Sequence, residues 1–230
     1  MKRFDPTQAS CQELIEQLSE LADENYLAGM KRFAIENKTA LGVKLPFLRE
    51  FAKPLKKRSD RHTLAMELWS TAIHEARILA SIIANPKLLT ESEMNTWVND
   101  FYSWDVCDQC CSNLFQKTSY FLTKSFEYSK AEAEFVKRCG FTLMAQYAHH
   151  HKKAPDTICL QFLERIEEEA YDTRNFVKKA VNWALREIGK RNESMLLEAE
   201  ACAYRLVEQP HAAAKWIARD ALREFAKQKR

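Results

Sequence analysis

Apolar residues recur with a helical spacing along most of the chain, and one segment returns every 40 to 41 residues. Its copies open at Phe135, Phe176 and Trp216 with an aromatic residue, then an aliphatic one, then a basic residue at the fourth position. A period in this range is typical of units of two antiparallel helices, each of which needs its neighbour to bury its apolar face. The pattern therefore predicts a stack of helix pairs.

The few proline and glycine residues, such as Gly42, Pro46, Pro155 and Pro210, mark where helices begin and end. No linker rich in these residues divides the chain, so we expect a single domain over 1–230. The fold predicted is an all-α superhelical solenoid of HEAT-like two-helix repeats. Helices are expected at 47–57, 63–84, 90–100, 104–116, 119–129, 132–148, 156–170, 173–190, 193–208 and 211–227.

Composition supports an all-α fold and excludes several classes of protein. The 230 residues are 46% hydrophobic but include only four glycines and six prolines, too few for a turn-rich β fold. No stretch approaches the roughly 18 apolar residues of a membrane helix, and no apolar signal sequence follows the start. Seven scattered cysteines indicate reduced core thiols. We therefore expect a soluble, cytoplasmic protein.

The net charge of +3 is small, but the charges are unevenly distributed. The segments 43–58 and 174–191 each carry six basic residues and one acid, whereas 156–172 carries six acids and one base. Such separation is typical of a protein that binds a polyanion, although ordinary solvated helix surfaces also explain it.

The repeat also places basic residues in register. Aligning the units puts Arg77, Arg138, Lys179 and Arg219 at one equivalent position. Basic side chains at the same point of successive units form a ladder suited to the regularly spaced phosphates of DNA. The alternative is that these residues lie by chance on helix edges.

A predicted helix start at Ser103 carries the first candidate chemistry. Ser103 is a suitable N-cap, and Asp105 lies in the first turn near the positive helix end. Trp104 and Asp108 are four residues apart and share one face, so the ring can partly desolvate the carboxylate. The adjacent row of this helix is apolar and would anchor it in the core. It consists of Cys107, Cys110, Cys111 and Leu114.

A second aromatic candidate is Trp183, at the edge of the buried stripe of its predicted helix. It lies beside Lys179, Arg186 and Lys190, where it either lines a site next to the basic ladder or packs against the neighbouring repeat.

No metal or cofactor site is expected. Cys107 and Cys110 have the spacing of half a zinc site, but no second pair is present, and their place in an apolar helical row favours a core position. The run 149–151 of three histidines cannot point at one ion from a helix and is better explained as a basic helix end.

The chain resembles the AlkD-type DNA alkylation repair family, which consists of all-α HEAT-like DNA glycosylases. The resemblance covers nearly the whole chain. It is carried by 42–49 (GVKLPFLR), 74–80 (HEARILA), 103–108 (SWDVCD), 134–138 (EFVKR) and, most specifically, 174–186 (RNFVKKAVNWALR).

The resemblance implies that Asp108 is catalytic, that Trp104 and Trp183 contact the damaged nucleotide, and that Arg138 holds the DNA backbone. The implied reaction is hydrolysis of the N-glycosidic bond of cationic N3- or N7-alkylated purines in double-stranded DNA, in the bacterial cytoplasm. Because a solenoid of this length usually suffices alone and no cofactor site is found, we expect a monomer without a cofactor. The chain departs from better-known members of the family in two ways. It has Ser103 at a position where they often have a second aromatic residue, and its helix continues with the cysteine-rich segment 107–111.

Two other functions stay open at this point. One is a catalytically silent DNA-binding member of the family, and the other is a protein-binding HEAT scaffold. The predicted catalytic set is Asp108, Trp104 and Trp183. The predicted DNA-binding residues are all basic, and they are Arg138, Lys179, Arg219, Arg77, Arg186 and Lys190.

Overall fold

The structure is a computed structural model that describes residues 4–35 and 39–228. Its described residues form α-helices joined by short loops, with no strand among them. Two 3₁₀ turns lie at Lys31–Phe33 and Phe115–Lys117. The α-helices are α1 (Cys11–Glu20), α2 (Glu24–Met30), α3 (Leu45–Leu55), α4 (Arg61–Ser70), α5 (His74–Ile83), α6 (Glu91–Asn99), α7 (Trp104–Asn113), α8 (Phe121–Tyr128), α9 (Glu134–His150), α10 (Thr157–Glu169), α11 (Asn175–Gly189), α12 (Glu193–Glu208) and α13 (Ala212–Gln228).

The helices form two compact units, Met1–Thr118 (unit 1) and Ser119–Arg230 (unit 2). This division was not indicated by the sequence, which has no linker between them. In unit 1, α5 packs against α3, α4 and α7. In unit 2, α11 packs between α9 and α13, while α8 lies on α9 and α12 on α13.

Unit 2 confirms the repeat seen in the sequence. The rings of Phe135 on α9 and Phe176 on α11 lie 5.4 Å apart between centroids. Trp216 on α13 lies under the ammonium of Lys178, 4.7 Å from the ring centroid. Asn182 of α11 donates a hydrogen bond of 3.0 Å to the carbonyl of Ile217 on α13. Each repeat helix therefore packs against the next one, and the Phe135–Phe176 contact joins equivalent positions of two repeats.

The prediction of one helix over 63–84 is wrong. The structure has α4 and α5 here, separated by Ala72, whose backbone φ is +57°. A residue in the left-handed backbone conformation cannot continue a right-handed helix, so the helix ends and the chain turns at Ala72.

Two further helices, α1 and α2, precede the first predicted one. Ser10 and Glu13 form a reciprocal capping box at the start of α1. This Ser-x-x-Glu signal was available in the sequence. None of the described helices is long and apolar enough to cross a membrane.

Candidate functional site

Trp104 is the first residue of α7 and is held in place from both sides in unit 1. Its indole N–H donates a 2.8 Å hydrogen bond to the carbonyl oxygen of Phe33. Its ring packs against a small apolar cluster formed by Met30, Ile35 and Ala40. The orientation of the indole is therefore fixed by a hydrogen bond as well as by packing.

Asp108 lies one turn after Trp104 on the same face of α7 and is partly buried. The opposite side of α7 is anchored in the core, since Cys107, Cys110 and Cys111 are all fully buried. This confirms the core position predicted for the cysteines. Burial raises the pKa of the Cys110 thiol well above its ordinary value, so the group stays protonated. Asp108 thus projects from a helix that is anchored in the core, one turn after an indole that is held by a hydrogen bond.

A buried hydrogen-bonded network precedes Asp108 and was missed by the sequence analysis. His74, at the start of α5, is only 1% exposed. Its Nε2 lies 2.9 Å from Oδ2 of Asp105, and its Nδ1 lies 2.9 Å from the hydroxyl of Tyr102. Each ring nitrogen of His74 therefore lies within hydrogen-bond distance of one partner, Asp105 or Tyr102. No sequence spacing links α5 to α7, so only the structure reveals this pair.

Ser103 occupies the N-cap position of α7 as predicted, but its hydroxyl donates to Asp105 and makes no side-chain cap bond to the helix backbone. Burial acts to raise the pKa of Asp105. The hydrogen bond and charge of His74, with the bonds from Ser103 and the backbone of Val106, outweigh it and lower the pKa. Asp105 therefore stays ionised inside the unit.

Glu75, the neighbour of His74, holds a loop with its carboxylate. It is 1% exposed and accepts hydrogen bonds from the backbone N–H groups of Leu41, Gly42 and Val43 at 2.8, 2.7 and 3.2 Å. Gly42 has a φ of +82°, which favours glycine. Val43 of this loop lines a cavity of about 290 Å³ in unit 1, whose lining includes Trp104 and Asp105 but not Asp108.

Arg77, which the sequence analysis predicted to contact phosphate, is largely buried in unit 1 and forms hydrogen bonds within it. The residue is 9% exposed, and its guanidinium donates to the carbonyl oxygens of Trp69 and Asp100 and to the carboxylate of Asp100. It also lies 4.9 Å from the ring centroid of Trp69. Its donors and its charge are used inside the unit, so it does not form a rung of an exposed ladder.

The other rungs of the predicted ladder, all in unit 2, differ in exposure. Arg138 is 6% exposed and donates a 2.7 Å hydrogen bond to the carbonyl of Phe176. Lys179 and Arg219 are exposed. Equivalent sequence positions therefore do not give equivalent side-chain environments.

Trp183 is partly buried and packs against the core of unit 2, at the edge of α11. Two nearby cations are paired with acids of α13. Arg186 lies 3.7 Å from Asp220 and 3.4 Å from Glu224, and Lys190 lies 3.3 Å from Glu224. The hydrogen bond from Lys190, aided by the charge of Arg186, lowers the pKa of Glu224. These pairs reduce the net charge that Arg186 and Lys190 offer to a phosphate.

This architecture defines an all-α protein of HEAT-like helix pairs, and the comparisons with known proteins agree. The chain belongs to the DNA alkylation repair enzyme family, whose sequence model matches residues 14–225. A solved structure described as "a new family of proteins related to the HEAT-like repeat DNA glycosylases with affinity for branched DNA structures" matches with a TM-score of 0.77. The two chains are 18% identical, and the match covers 94% of this chain and 95% of the other. No curated protein matches this sequence.

Proposed function

We propose that this protein is a DNA glycosylase that hydrolyses the N-glycosidic bond of cationic N3- or N7-alkylated purines in duplex DNA. The observation that carries the proposal is the placement of Asp108. It is partly buried on a core-anchored helix, one turn from a Trp104 ring fixed by a hydrogen bond. Membership of the DNA alkylation repair enzyme family supports the class of substrate.

The reaction needs little acid catalysis, because an alkylated purine already carries positive charge and is a good leaving group. When the bond between C1′ and the base nitrogen breaks, its electrons neutralise the base, and positive charge develops on the deoxyribose. Asp108 stabilises this charge and orients a water molecule. The water oxygen bonds to C1′, and its proton passes to the carboxylate and then to solvent.

The surroundings of Asp108 decide how much it contributes. At ~4 Å an ion pair is worth about 1 kcal/mol in water but about 4 kcal/mol at an effective dielectric constant near 20. The difference of roughly 3 kcal/mol corresponds to about two orders of magnitude in rate. Trp104 excludes water from one side of the carboxylate and presents its π face to the cationic sugar.

In unit 2, we assign Trp183 a second aromatic contact with the damaged strand. Lys179 and Arg219 contribute phosphate contacts, because both are exposed and make no ion pair within the described part of the chain. Arg138 fixes the backbone from a more buried position, while Arg186 and Lys190 act more weakly through their acidic partners. We expect the protein to act as a monomer in the cytoplasm.

The test is release of 7-methylguanine and 3-methyladenine from methylated duplex DNA, measured in the presence of a chelator. We expect release by the wild type and a rate about 100-fold lower for Asp108→Asn. Asp5→Asn, which removes an exposed carboxylate from the same unit, is the matched control and should keep the wild-type rate. An Asp108→Asn protein that released bases at the wild-type rate would contradict the role of Asp108.

A second candidate is DNA binding without base release. It is favoured by the fold match to the family with affinity for branched DNA. Release of no base by the wild type, together with salt-sensitive binding that is tighter to a four-way junction than to linear duplex, would establish this function instead. The protein-binding scaffold considered from the sequence would show no duplex affinity at all.

A further inference from the structure

The seam between α11 and α13 in unit 2 begins with an aromatic residue and continues with acids. On α13, Trp216, Asp220 and Glu224 are spaced four residues apart, so they form one row along the helix. The ammonium of Lys178 on α11 lies 4.7 Å from the ring centroid of Trp216. Further along, Arg186 of α11 lies 3.7 Å from Asp220 and 3.4 Å from Glu224. The first cation of the seam is thus paired with a ring, and the later one with carboxylates.

This difference leaves positive charge uncompensated at the start of the seam. An aromatic ring attracts a cation through its π face but carries no net charge, so the charge of Lys178 is kept. Lys179 and Arg219 lie next to this pair, are exposed, and form no ion pair within the described part of the chain. Asp220 already accepts a 2.9 Å hydrogen bond from Arg223. The start of the seam therefore attracts anions.

Trp216 is also the most open member of the aromatic repeat. Its counterparts Phe135 and Phe176 are half-buried, and their rings lie 5.4 Å apart between centroids. Trp216 is 37% exposed even with Lys178 beside it. Arg219 follows three residues later and is therefore on the same side of α13. An open indole among cations is typical of sites for single-stranded nucleic acid, where the cations hold phosphates and a base stacks on the ring.

The ring suits an unpaired base better than a base pair. Stacking of one base on an aromatic side chain strengthens binding about 10- to 100-fold. Within a duplex the base faces are already stacked on each other, and opening one step costs at least as much. A cation at an exposed ring contributes only about two- to fivefold, so a base can displace the ammonium of Lys178 from the ring of Trp216. The displaced ammonium is then free to bind the phosphate of the same nucleotide.

We propose that Trp216, together with Lys178 and Arg219, binds an unpaired nucleotide of a DNA strand. The inference goes beyond the proposed function, because it needs neither Asp108 nor an alkylated base, and it takes from that function only that the polyanion is DNA. The site shares Arg219 with the phosphate contacts proposed above. A single strand that adjoins a bound duplex therefore reaches it.

The experiment is fluorescence anisotropy of labelled DNA titrated with the full-length protein. One probe is a single strand of about twelve thymidines, which has no stable base pairs, and the other is a blunt duplex of the same length. We expect Trp216→Ala to weaken binding of the single strand about tenfold and binding of the duplex less than twofold. The salt dependence of single-strand binding should keep its slope, because the substitution removes no charge. Trp216→Phe keeps an aromatic face and should stay within about threefold of the wild type.

The matched control is Tyr204→Ala, which removes an exposed ring from α12 of the same unit. Tyr204 is 62% exposed, but Glu200 and Glu208 lie one turn to either side of it, so it offers no basic site. This variant should bind both probes as the wild type does. Circular dichroism of each variant verifies that the helices are intact. Single-strand binding by Trp216→Ala as tight as that of the wild type overturns the inference, as does an equal loss for both probes or a wild type that does not bind the single strand.

The outcome can be separated from that of the glycosylase assay. Base release from duplex DNA, with single-strand binding that does not depend on Trp216, would overturn the inference and leave the proposed function standing. Single-strand binding that is lost in Trp216→Ala, in a protein whose wild type releases no base, would do the opposite.

Discussion

Substituting Gly140 by alanine tests the packing that positions α9. Gly140 lies within this helix, where a Cβ atom would stand 2.3 Å from the backbone nitrogen and 2.7 Å from the Cα of Ser129. It would also stand 2.9 Å from the carbonyl oxygen of Ser125. Non-bonded carbon atoms prefer separations of about 3.5 to 4.0 Å. The obstructing atoms are backbone atoms at the end of α8, so no side-chain rotation can relieve the overlap.

Two effects of opposite sign compete in Gly140→Ala. Helix propensity favours alanine by about 1 kcal/mol. Overpacking a well-filled interior costs about 1 to 3 kcal/mol, and the cost here lies at the upper end because α8 itself must move. We therefore expect a net loss of about 2 kcal/mol in the free energy of unfolding.

The measurement is urea denaturation of both proteins followed by far-ultraviolet circular dichroism. Gly29→Ala in α2 is the matched control, because nothing lies within 4 Å of its added Cβ. It should be neutral or stabilising by up to about 1 kcal/mol. If Gly140→Ala proved as stable as the wild type or more so, α8 and α9 would not be packed as closely as the structure has them.

Three further predictions concern charged groups. Glu75→Gln should destabilise the protein by about 2 kcal/mol in the same urea assay, because a glutamine has one acceptor oxygen for three backbone amides. An unchanged midpoint would contradict this. Asp105→Asn should cost about 2 kcal/mol at pH 7. Folding lowers the pKa of Asp105, so its carboxylate contributes fully to the free energy of unfolding above the unfolded pKa of about 3.9. This contribution is lost as the pH falls through the pKa of the folded state. The difference in stability between Asp105→Asn and the wild type should therefore vanish in acid and persist in base. Replacing Lys179 and Arg219 together by glutamine should make the salt dependence of duplex binding shallower by about 1.8 in log–log slope, whereas Lys87→Gln on an exposed loop should not change it.

Much of the site could be read from the chain alone, and the limits have a physical cause. Trp104 and Asp108 share a helix face because they are four residues apart, a local relation that periodicity encodes. The hydrogen bond between His74 and Asp105 joins residues of two helices that are 31 positions apart in the chain. No local sequence pattern indicates that these two residues meet. The burial of Arg77 likewise depends on Asp100, a partner on another element.

The sequence by itself determined the class of fold. Apart from 63–84, it also predicted the bounds of the expected helices to within three residues, and α12 begins and ends at the residues expected, 193 and 208. Apolar periodicity and capping residues act within a few turns, so they can be recognised without knowing what each helix packs against. Only the tertiary structure decided the turn at Ala72, the close approach at Gly140 and the cavity of unit 1 that Trp104 and Asp105 line. Each arises where separate segments meet, and the space and charge available there depend on atoms distant in the chain.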